Sequence, residues 1–233
     1  MTARILRFKR FASDPGFDAS AMIKRLILAA CLTLAPTATW AHPHEFVTMK
    51  ITAQFDANGA VTGMRYNWVF DEFFSAYALE GQDANKDGKP QQAEMDALMA
   101  EILGNIGGID YFTAFDGNGV VPKIAGAKPV AATMQGRQFD MTFDVAFAAP
   151  VTPTKAKPLR YAIYDNEFYI SMTHAPGEEG MQLANPPAGC TAQLTEPDPD
   201  EDLAAFAASL GKDETGGPDL GAAFAEWVGI SCP

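Results

Sequence analysis

Three histidines occur in this chain of 233 residues, and two of them lie in the stretch His42-Pro43-His44. Neutral imidazole is the most common protein ligand of divalent transition metals. If the chain is cut after Ala41, His42 also carries a free α-amine, so its amine and ring could chelate one ion. His44 and the third histidine, His174, could complete the site. The sequence therefore predicts nickel, cobalt or zinc binding, with a solvated terminus and a loop histidine as the alternative.

A second stretch of ligand-type residues, DANKDGKPQQAE, covers residues 83–94. Oxygen-bearing side chains alternate along it, Gly88 permits a sharp turn, and an acid at the twelfth position can bind with both oxygens. The pattern is typical of a calcium loop between two helices, with ligands Asp83, Asn85, Asp87, the backbone carbonyl of Lys89, Gln91 and Glu94. Pro90 lacks the amide hydrogen that a paired loop uses, and the sequence has no second loop of this type. We expect weak, structural calcium binding, with Kd on the order of 0.1 to 1 mM, and the alternative is a polar loop without metal.

The N-terminal sequence indicates export. In residues 22–41, Lys24 and Arg25 precede an apolar run that is too short for a membrane span, and small residues follow it. This is the layout of a secretory signal peptide, with cleavage after Ala41 and a periplasmic destination. A lipoprotein cleavage box ending at Cys31 is the alternative, and the start at Met1 or Met22 stays open.

Export would also decide which cysteines and charges remain. Cys31 leaves with the signal peptide, and the remaining even pair, Cys190 and Cys232, predicts one disulfide in an oxidising compartment. Subtracting the six basic and two acidic residues of positions 1–41 from totals of 17 and 29 leaves 11 basic and 27 acidic residues, a net charge of −16. Such a surface repels nucleic acid and anionic membranes and favours cations or basic partners.

The elements that must position these residues follow from hydrophobic periodicity. Residues 45–70 alternate around Asn58-Gly59, which predicts a β-hairpin. The next stretch, DEFFSAYALEGQ, predicts a helix, and a second helix covers residues 91–106. The apolar face predicted for the first helix consists of Phe73, Phe74, Tyr77 and Ala78.

Beyond these helices, residues 109–173 return to strand-like alternation, including a predicted hairpin through Asp165-Asn166. The fold class is therefore α+β: a mostly antiparallel sheet or sandwich with a helix–calcium-type loop–helix inserted at about residues 71–106. We expect an N-terminal extension and signal peptide over residues 1–41 and a single periplasmic domain over 42–233. An acidic, mobile segment is predicted at about 196–219, around an amphipathic helix from Leu203 to Leu210.

Four stretches together resemble a known family: HPHEFV after the signal peptide, YNWVFDEFFSAYALEGQDANKDG, YAIYDNEFYISM and PPAGC. In this order, they resemble a bacterial periplasmic family of unknown function labelled as the periplasmic component of an uncharacterised ABC-type transport system. The resemblance implies association with a nickel/cobalt-type membrane transporter and no established enzymatic activity. It matches residues 42–44 to the family's N-terminal motif and residues 83–94 to its acidic loop, and it assigns no role to His174.

These observations predict an exported metal-binding protein, not an enzyme, that acts as the soluble component of a Ni/Co/Zn-type transport system. Its partner would be an inner-membrane metal transporter, without nucleic acid or membrane insertion of the mature chain, and its cofactor a structural calcium ion. One alternative is a copper-dependent enzyme that uses His42 with His44 or His174. The other is a calcium-stabilised protein-interaction module.

Overall fold

The first hairpin is confirmed. In this computed structural model, which describes residues 43–211 and 214–233, β1 (Glu45–Phe55) pairs antiparallel with β2 (Val61–Phe70). Asp56 Oδ1 accepts hydrogen bonds of 2.9 Å from the N–H groups of Asn58 and Ala60. Gly59 has a φ of 77°, which glycine adopts without a Cβ penalty.

Two helices follow β2 at the predicted positions: α1 (Glu72–Gln82) and α2 (Gln92–Ile106). Asp71 caps α1, because its Oδ1 accepts hydrogen bonds from the N–H groups of Phe73 at 2.8 Å and Phe74 at 2.9 Å. The apolar face predicted for α1 is only half right. Phe74 and Ala78 pack against the core, whereas Phe73 and Tyr77 are exposed.

The remaining elements complete two sheets: β3 (Thr113–Phe115), β4 (Ile124–Gln135), β5 (Gln138–Val151), β6 (Leu159–Ile163), β7 (Ile170–His174), β8 (Met181–Ala184), β9 (Thr191–Thr195), α3 (Glu201–Ser209), α4 (Leu220–Ala223) and β10 (Trp227–Ser231). One sheet has the order β4-β5-β2-β1-β7, with β8 also paired to β1, and the other has the order β3-β6-β10-β9. One hydrophobic core receives side chains from both sheets and from the helical pair. The α+β class, with mostly antiparallel strands and an inserted helical pair, is confirmed.

The hairpin predicted through Asp165-Asn166 is wrong. β6 pairs with β3 and β10 in the four-stranded sheet, whereas β7 pairs parallel with β1 in the other sheet. Asp165 Oδ2 accepts hydrogen bonds from the N–H groups of Tyr169 at 2.8 Å and Ile170 at 3.1 Å. These bonds fix the turn in which the chain leaves one sheet and enters the other.

A small second core lies in the C-terminal part of the chain. Ala207 and Leu210, at the end of α3, are buried with Leu220 of α4. Phe168 and Phe224 stack beside them with ring centroids 4.2 Å apart. This cluster joins part of the acidic segment to the turn before β7, and the mobility of residues 196–219 stays a prediction.

Cys190 and Cys232 form a disulfide with a Cα–Cα distance of 4.1 Å. Thr191 and Ser231 are cross-strand partners in the β9–β10 pair, so the two cysteines occupy the next opposed position of the ladder. Facing residues of antiparallel strands lie about 4.5 to 5.5 Å apart, which explains why the cysteines can bond there.

All described residues lie in one compact unit of the chain, residues 40–233. Among the helices of the described ranges, none combines the length and apolar character that a membrane crossing requires.

Candidate functional site

His44 stands at the beginning of β1, beside the start of β7. Its N–H donates a hydrogen bond of 2.8 Å to the carbonyl oxygen of Tyr169, and the two rings lie with centroids 4.7 Å apart. The parallel register that sets Glu45 opposite Ile170 holds this end of the strand in place. His44 is therefore a partly buried, positioned residue. His42, the other histidine of the predicted site, lies outside the described residues.

The carboxylates of Asp71 and Asp165 influence the carboxyl group of Glu45, although the three residues are far apart in sequence. Burial and, to a smaller extent, the neighbouring carboxylates of Asp71 and Asp165 together raise the pKa of Glu45 from 4.5 to about 7. Asp71 is fixed beside β1, because its Oδ2 accepts a 2.9 Å hydrogen bond from the N–H of Phe46. Asp165 is fixed in the turn before β7 by the hydrogen bonds that its Oδ2 accepts from the N–H groups of Tyr169 and Ile170. The beginning of β1 is thus a region of negative potential next to an imidazole.

This arrangement favours a cation chemically, since a positive ion would offset the mutual repulsion of the carboxylates and stabilise ionised Glu45. Within residues 43–211 and 214–233, however, no three His, Cys, Asp or Glu side chains lie close enough together to hold a metal ion.

His174 is not brought to this end of the sheet. It pairs with Met49, five residues along β1 from His44, which corresponds to about 16 Å at the rise of a strand. Its side chain is 2% exposed, and its ring Nδ1 lies 2.7 Å from Glu226 Oε2. The same oxygen accepts a 2.6 Å hydrogen bond from the backbone N–H of His174.

The partner of His174 was missed by sequence reasoning. Glu226 lies just before β10 in the other sheet, 52 residues away, and no spacing rule connects the two. The ring Nε2 of His174 is buried and has no hydrogen-bond partner among the described residues. The pair thus joins the two sheets within the core, with the ring Nδ1 donating to the carboxylate.

The loop between α1 and α2 has its acidic side chains turned toward its own backbone. Asp83 accepts hydrogen bonds from the N–H groups of Asp87 at 3.2 Å and Gly88 at 2.9 Å. Asp87 accepts one from the N–H of Lys89 at 2.9 Å. Gly88 has a φ of 67°, so the turn predicted at this glycine is present.

The remaining predicted ligands close the loop. Asn85 Oδ1 accepts a hydrogen bond from the N–H of Asp87 at 3.0 Å, and Gln91 Nε2 donates one to Asp87 Oδ2 at 3.0 Å. Glu94 Oε2 accepts a 3.0 Å bond from the N–H of Gln91, which satisfies a free donor at the start of α2. Asp83 and Glu94, the first and twelfth positions, line the same cavity of ≈ 390 Å³. The loop has the required backbone turn, while its three carboxylates are not gathered around one point.

The chain is similar to a known protein family and to a protein of another organism. A protein-family profile described as "Protein of unknown function (DUF1007)" matches residues 27–232, a range that includes β1, the loop at 83–94 and both disulfide cysteines. A protein of Haemophilus influenzae described as "Uncharacterized protein" is 29% identical over 195 residues, which cover 82% of this chain and 91% of that protein.

Proposed function

The chain belongs to the DUF1007 family of proteins of unknown function, and we propose that it is an exported, periplasmic protein that binds divalent transition metals. We propose further that it is the soluble component of a transport system for nickel, cobalt or zinc, with an inner-membrane transporter as its partner. The observation that carries the proposal is the beginning of β1, where His44 precedes Glu45 and where burial and the carboxylates of Asp71 and Asp165 raise the pKa of Glu45.

Cleavage after Ala41 would complete the site. The new terminus would add the α-amine and ring of His42 to the imidazole of His44 and the carboxylate of Glu45. Imidazole and amine nitrogens suit nickel, cobalt and zinc better than calcium.

The first test is calorimetric titration of the protein with Ni²⁺, Co²⁺ and Zn²⁺. The protein that begins at His42 is compared with one that carries two additional N-terminal residues. We expect the extension to weaken binding and His44→Ala to weaken it by about tenfold or more, since even residues that only support a ligand commonly contribute that much. Glu45→Gln should also weaken binding, whereas Glu178→Gln, which alters an exposed acid, should not. Equal affinity of the processed and extended proteins for all three metals would contradict the proposal.

Glu45 should also make stability depend on pH. Its pKa in the folded chain, about 7, lies above the ordinary value of 4.5 because of burial and the two neighbouring carboxylates. The folded chain therefore binds more protons between these values, so the contribution of Glu45 to stability is fully present below pH 4.5 and is lost as the pH rises through about 7. Glu45→Gln should therefore stabilise the protein more at pH 8 than at pH 4. Urea unfolding at both pH values measures the change in the free energy of unfolding that each substitution causes. If this change differs between pH 4 and pH 8 by the same amount for Glu45→Gln as for Glu178→Gln, the prediction is contradicted.

We also propose that residues 83–94 bind a structural calcium ion, with both oxygens of Glu94 facing it. With a Kd of about 0.5 mM, 5 mM Ca²⁺ should stabilise the folded protein by about 1.4 kcal/mol. Glu94→Gln should remove most of this effect. Asp96→Asn, which alters an exposed acid of the same helix, should keep it. A melting temperature that responds to neither Ca²⁺ nor chelator would mean that the loop holds no structural ion.

A further inference from the structure

Helix α1 exposes its large aromatic side chains. Phe73 is 81% exposed and Tyr77 is 73% exposed, whereas Ser75 is 0% exposed. Successive residues of an α-helix are rotated by about 100°, so Phe73 and Tyr77 lie about 40° apart and each about 160° from Ser75. The two rings therefore form one outward face, and the small polar residue faces the sheet.

The orientation of α1 has a clear cause. Ser75 Oγ accepts a 2.8 Å hydrogen bond from the N–H of Phe139 and donates one of 2.6 Å to the carbonyl oxygen of Asp71. This arrangement satisfies the N–H at the start of β5 and fixes the rotation of the helix. Single exposed apolar residues are ordinary, but two rings that are more than 70% exposed within one turn indicate an interaction surface.

A groove lies beside this face, between α1 and α2. It has a volume of ≈ 600 Å³ and is lined by Tyr77, by the apolar side chains Phe74, Ala78, Leu98 and Ile102, and by the acidic residues Glu80 and Glu101. Gln82 Nε2 donates a 2.6 Å hydrogen bond to Glu101 Oε2, which connects the two helices across the groove. We call Phe73, Tyr77 and this groove the α1–α2 face.

The charge around the α1–α2 face restricts what can bind there. Residues 71–106 contain eight acidic and two basic side chains, a net charge of −6. A second copy of the chain would bring an equal negative charge against it, and an anionic membrane would also be repelled. A cationic polypeptide is complementary in charge.

We propose that the α1–α2 face binds a cationic, amphipathic helical segment of a partner protein. The apolar side of that segment would cover Phe73 and Tyr77 and enter the groove, and its Lys or Arg side chains would lie near Glu80 and Glu101. Binding of an amphipathic helix in an apolar groove is a common mode of recognition. The proposal depends on neither of the metal sites.

A synthetic peptide tests this directly. The probe is a fluorescein-labelled, 18-residue amphipathic helix of Leu and Lys, and its binding is measured by fluorescence anisotropy at 50 and 300 mM NaCl. A Leu/Glu peptide with the same apolar side is the charge control. We expect the Leu/Lys peptide to bind, to bind more weakly at the higher salt concentration, and to lose about tenfold or more in affinity for each ring that is removed by Phe73→Ser or Tyr77→Ser.

Matched variants distinguish binding at the α1–α2 face from nonspecific attraction of the cationic peptide to an acidic protein. Phe206→Ser removes an aromatic ring that is 45% exposed on α3 and should leave the affinity unchanged. Glu80→Gln with Glu101→Gln should weaken binding and reduce its dependence on salt. Circular dichroism checks that each variant is folded.

Four results would overturn the proposal. They are no binding of the Leu/Lys peptide, equal binding by the Phe73→Ser/Tyr77→Ser variant, and equal affinity for the Leu/Glu peptide. The fourth is evidence that something else covers the α1–α2 face. Such evidence would be a dimer, detected by sedimentation, that Tyr77→Ser dissociates, or binding to phosphatidylcholine/phosphatidylglycerol vesicles that Tyr77→Ser abolishes.

Discussion

Replacing both members of the Cys190–Cys232 pair by serine is expected to lower the free energy of unfolding by about 4 kcal/mol. The two cysteines are 42 residues apart in sequence, and the chain between them contains β9, α3, α4 and β10. Without the bond, the unfolded chain gains the conformational freedom of this long loop. The folded chain retains the β9–β10 and β10–β6 pairings, so the loss should come mainly from the unfolded state.

Thermal unfolding measures this loss. For a chain of this size, about 4 kcal/mol corresponds to a fall in Tm of roughly 8 to 16 °C. Reductant should lower the Tm of the parent protein and leave that of the Cys190→Ser/Cys232→Ser variant unchanged, so the variant is its own control. Two free thiols in the unreduced, denatured protein, or equal Tm values for parent and variant, would contradict the prediction.

The disulfide, the first hairpin and the helical pair could be predicted because each has a local signal. Asn58-Gly59 marks a turn by its own backbone preference, and the twelve residues of the loop carry their pattern in one stretch. The cysteine pairing needed only the even count that would remain after removal of the predicted signal peptide. In each case the relevant residues are close in sequence or the number of choices is small.

The destination of β7 could not be predicted in this way. Residues around Asp165-Asn166 have the alternation and the turn of a hairpin, yet β6 and β7 belong to different sheets. Which sheet takes a strand depends on the free edge of β1, which is more than a hundred residues earlier in the chain. Hydrophobic periodicity reports burial and not the identity of the neighbouring strand.

The outward rings of α1 show that apolar spacing alone does not determine which face of a helix is buried. The apolar spacing of Phe73, Phe74, Tyr77 and Ala78 predicts one buried face, but the hydrogen bonds of Ser75 to β5 and to the preceding turn determine the rotation. A serine gives little sign in a sequence that it will lie at the centre of a buried face. Similarly, the raised pKa of Glu45 depends on its burial and on the carboxylates of Asp71 and Asp165, and these come together only in the folded chain.

His174 illustrates how a functional hypothesis depends on placement. Because the chain has only three histidines, the sequence makes His174 a candidate metal ligand. Its predicted position at the end of a strand allows a site shared with His42 and His44. The structure sets it opposite Met49 and against Glu226. Its measurable contribution should therefore be to stability.

Glu226→Ala is expected to lower the free energy of unfolding by roughly 3 kcal/mol. One carboxylate oxygen accepts hydrogen bonds from both the backbone N–H and the ring Nδ1 of His174, at 2.6 and 2.7 Å. The His174 side chain is 2% exposed and that of Glu226 11% exposed, so water cannot readily replace the lost acceptor. A buried donor without a partner costs about 1 to 3 kcal/mol, and here two donors lose theirs.

Two further variants decide whether the hydrogen bonds are the cause. Glu226→Gln keeps an amide oxygen of nearly the same size at this position, so it should cost only about 1 kcal/mol. Glu178→Ala removes an exposed acid from the short helical turn before β8 and should change stability by less than about 0.5 kcal/mol. Urea unfolding at pH 7 gives all three values. If Glu226→Gln destabilises the protein as much as Glu226→Ala, an acceptor oxygen alone is not enough and the negative charge itself is required. If neither variant differs from Glu178→Ala, the contact between the two sheets does not stabilise the fold.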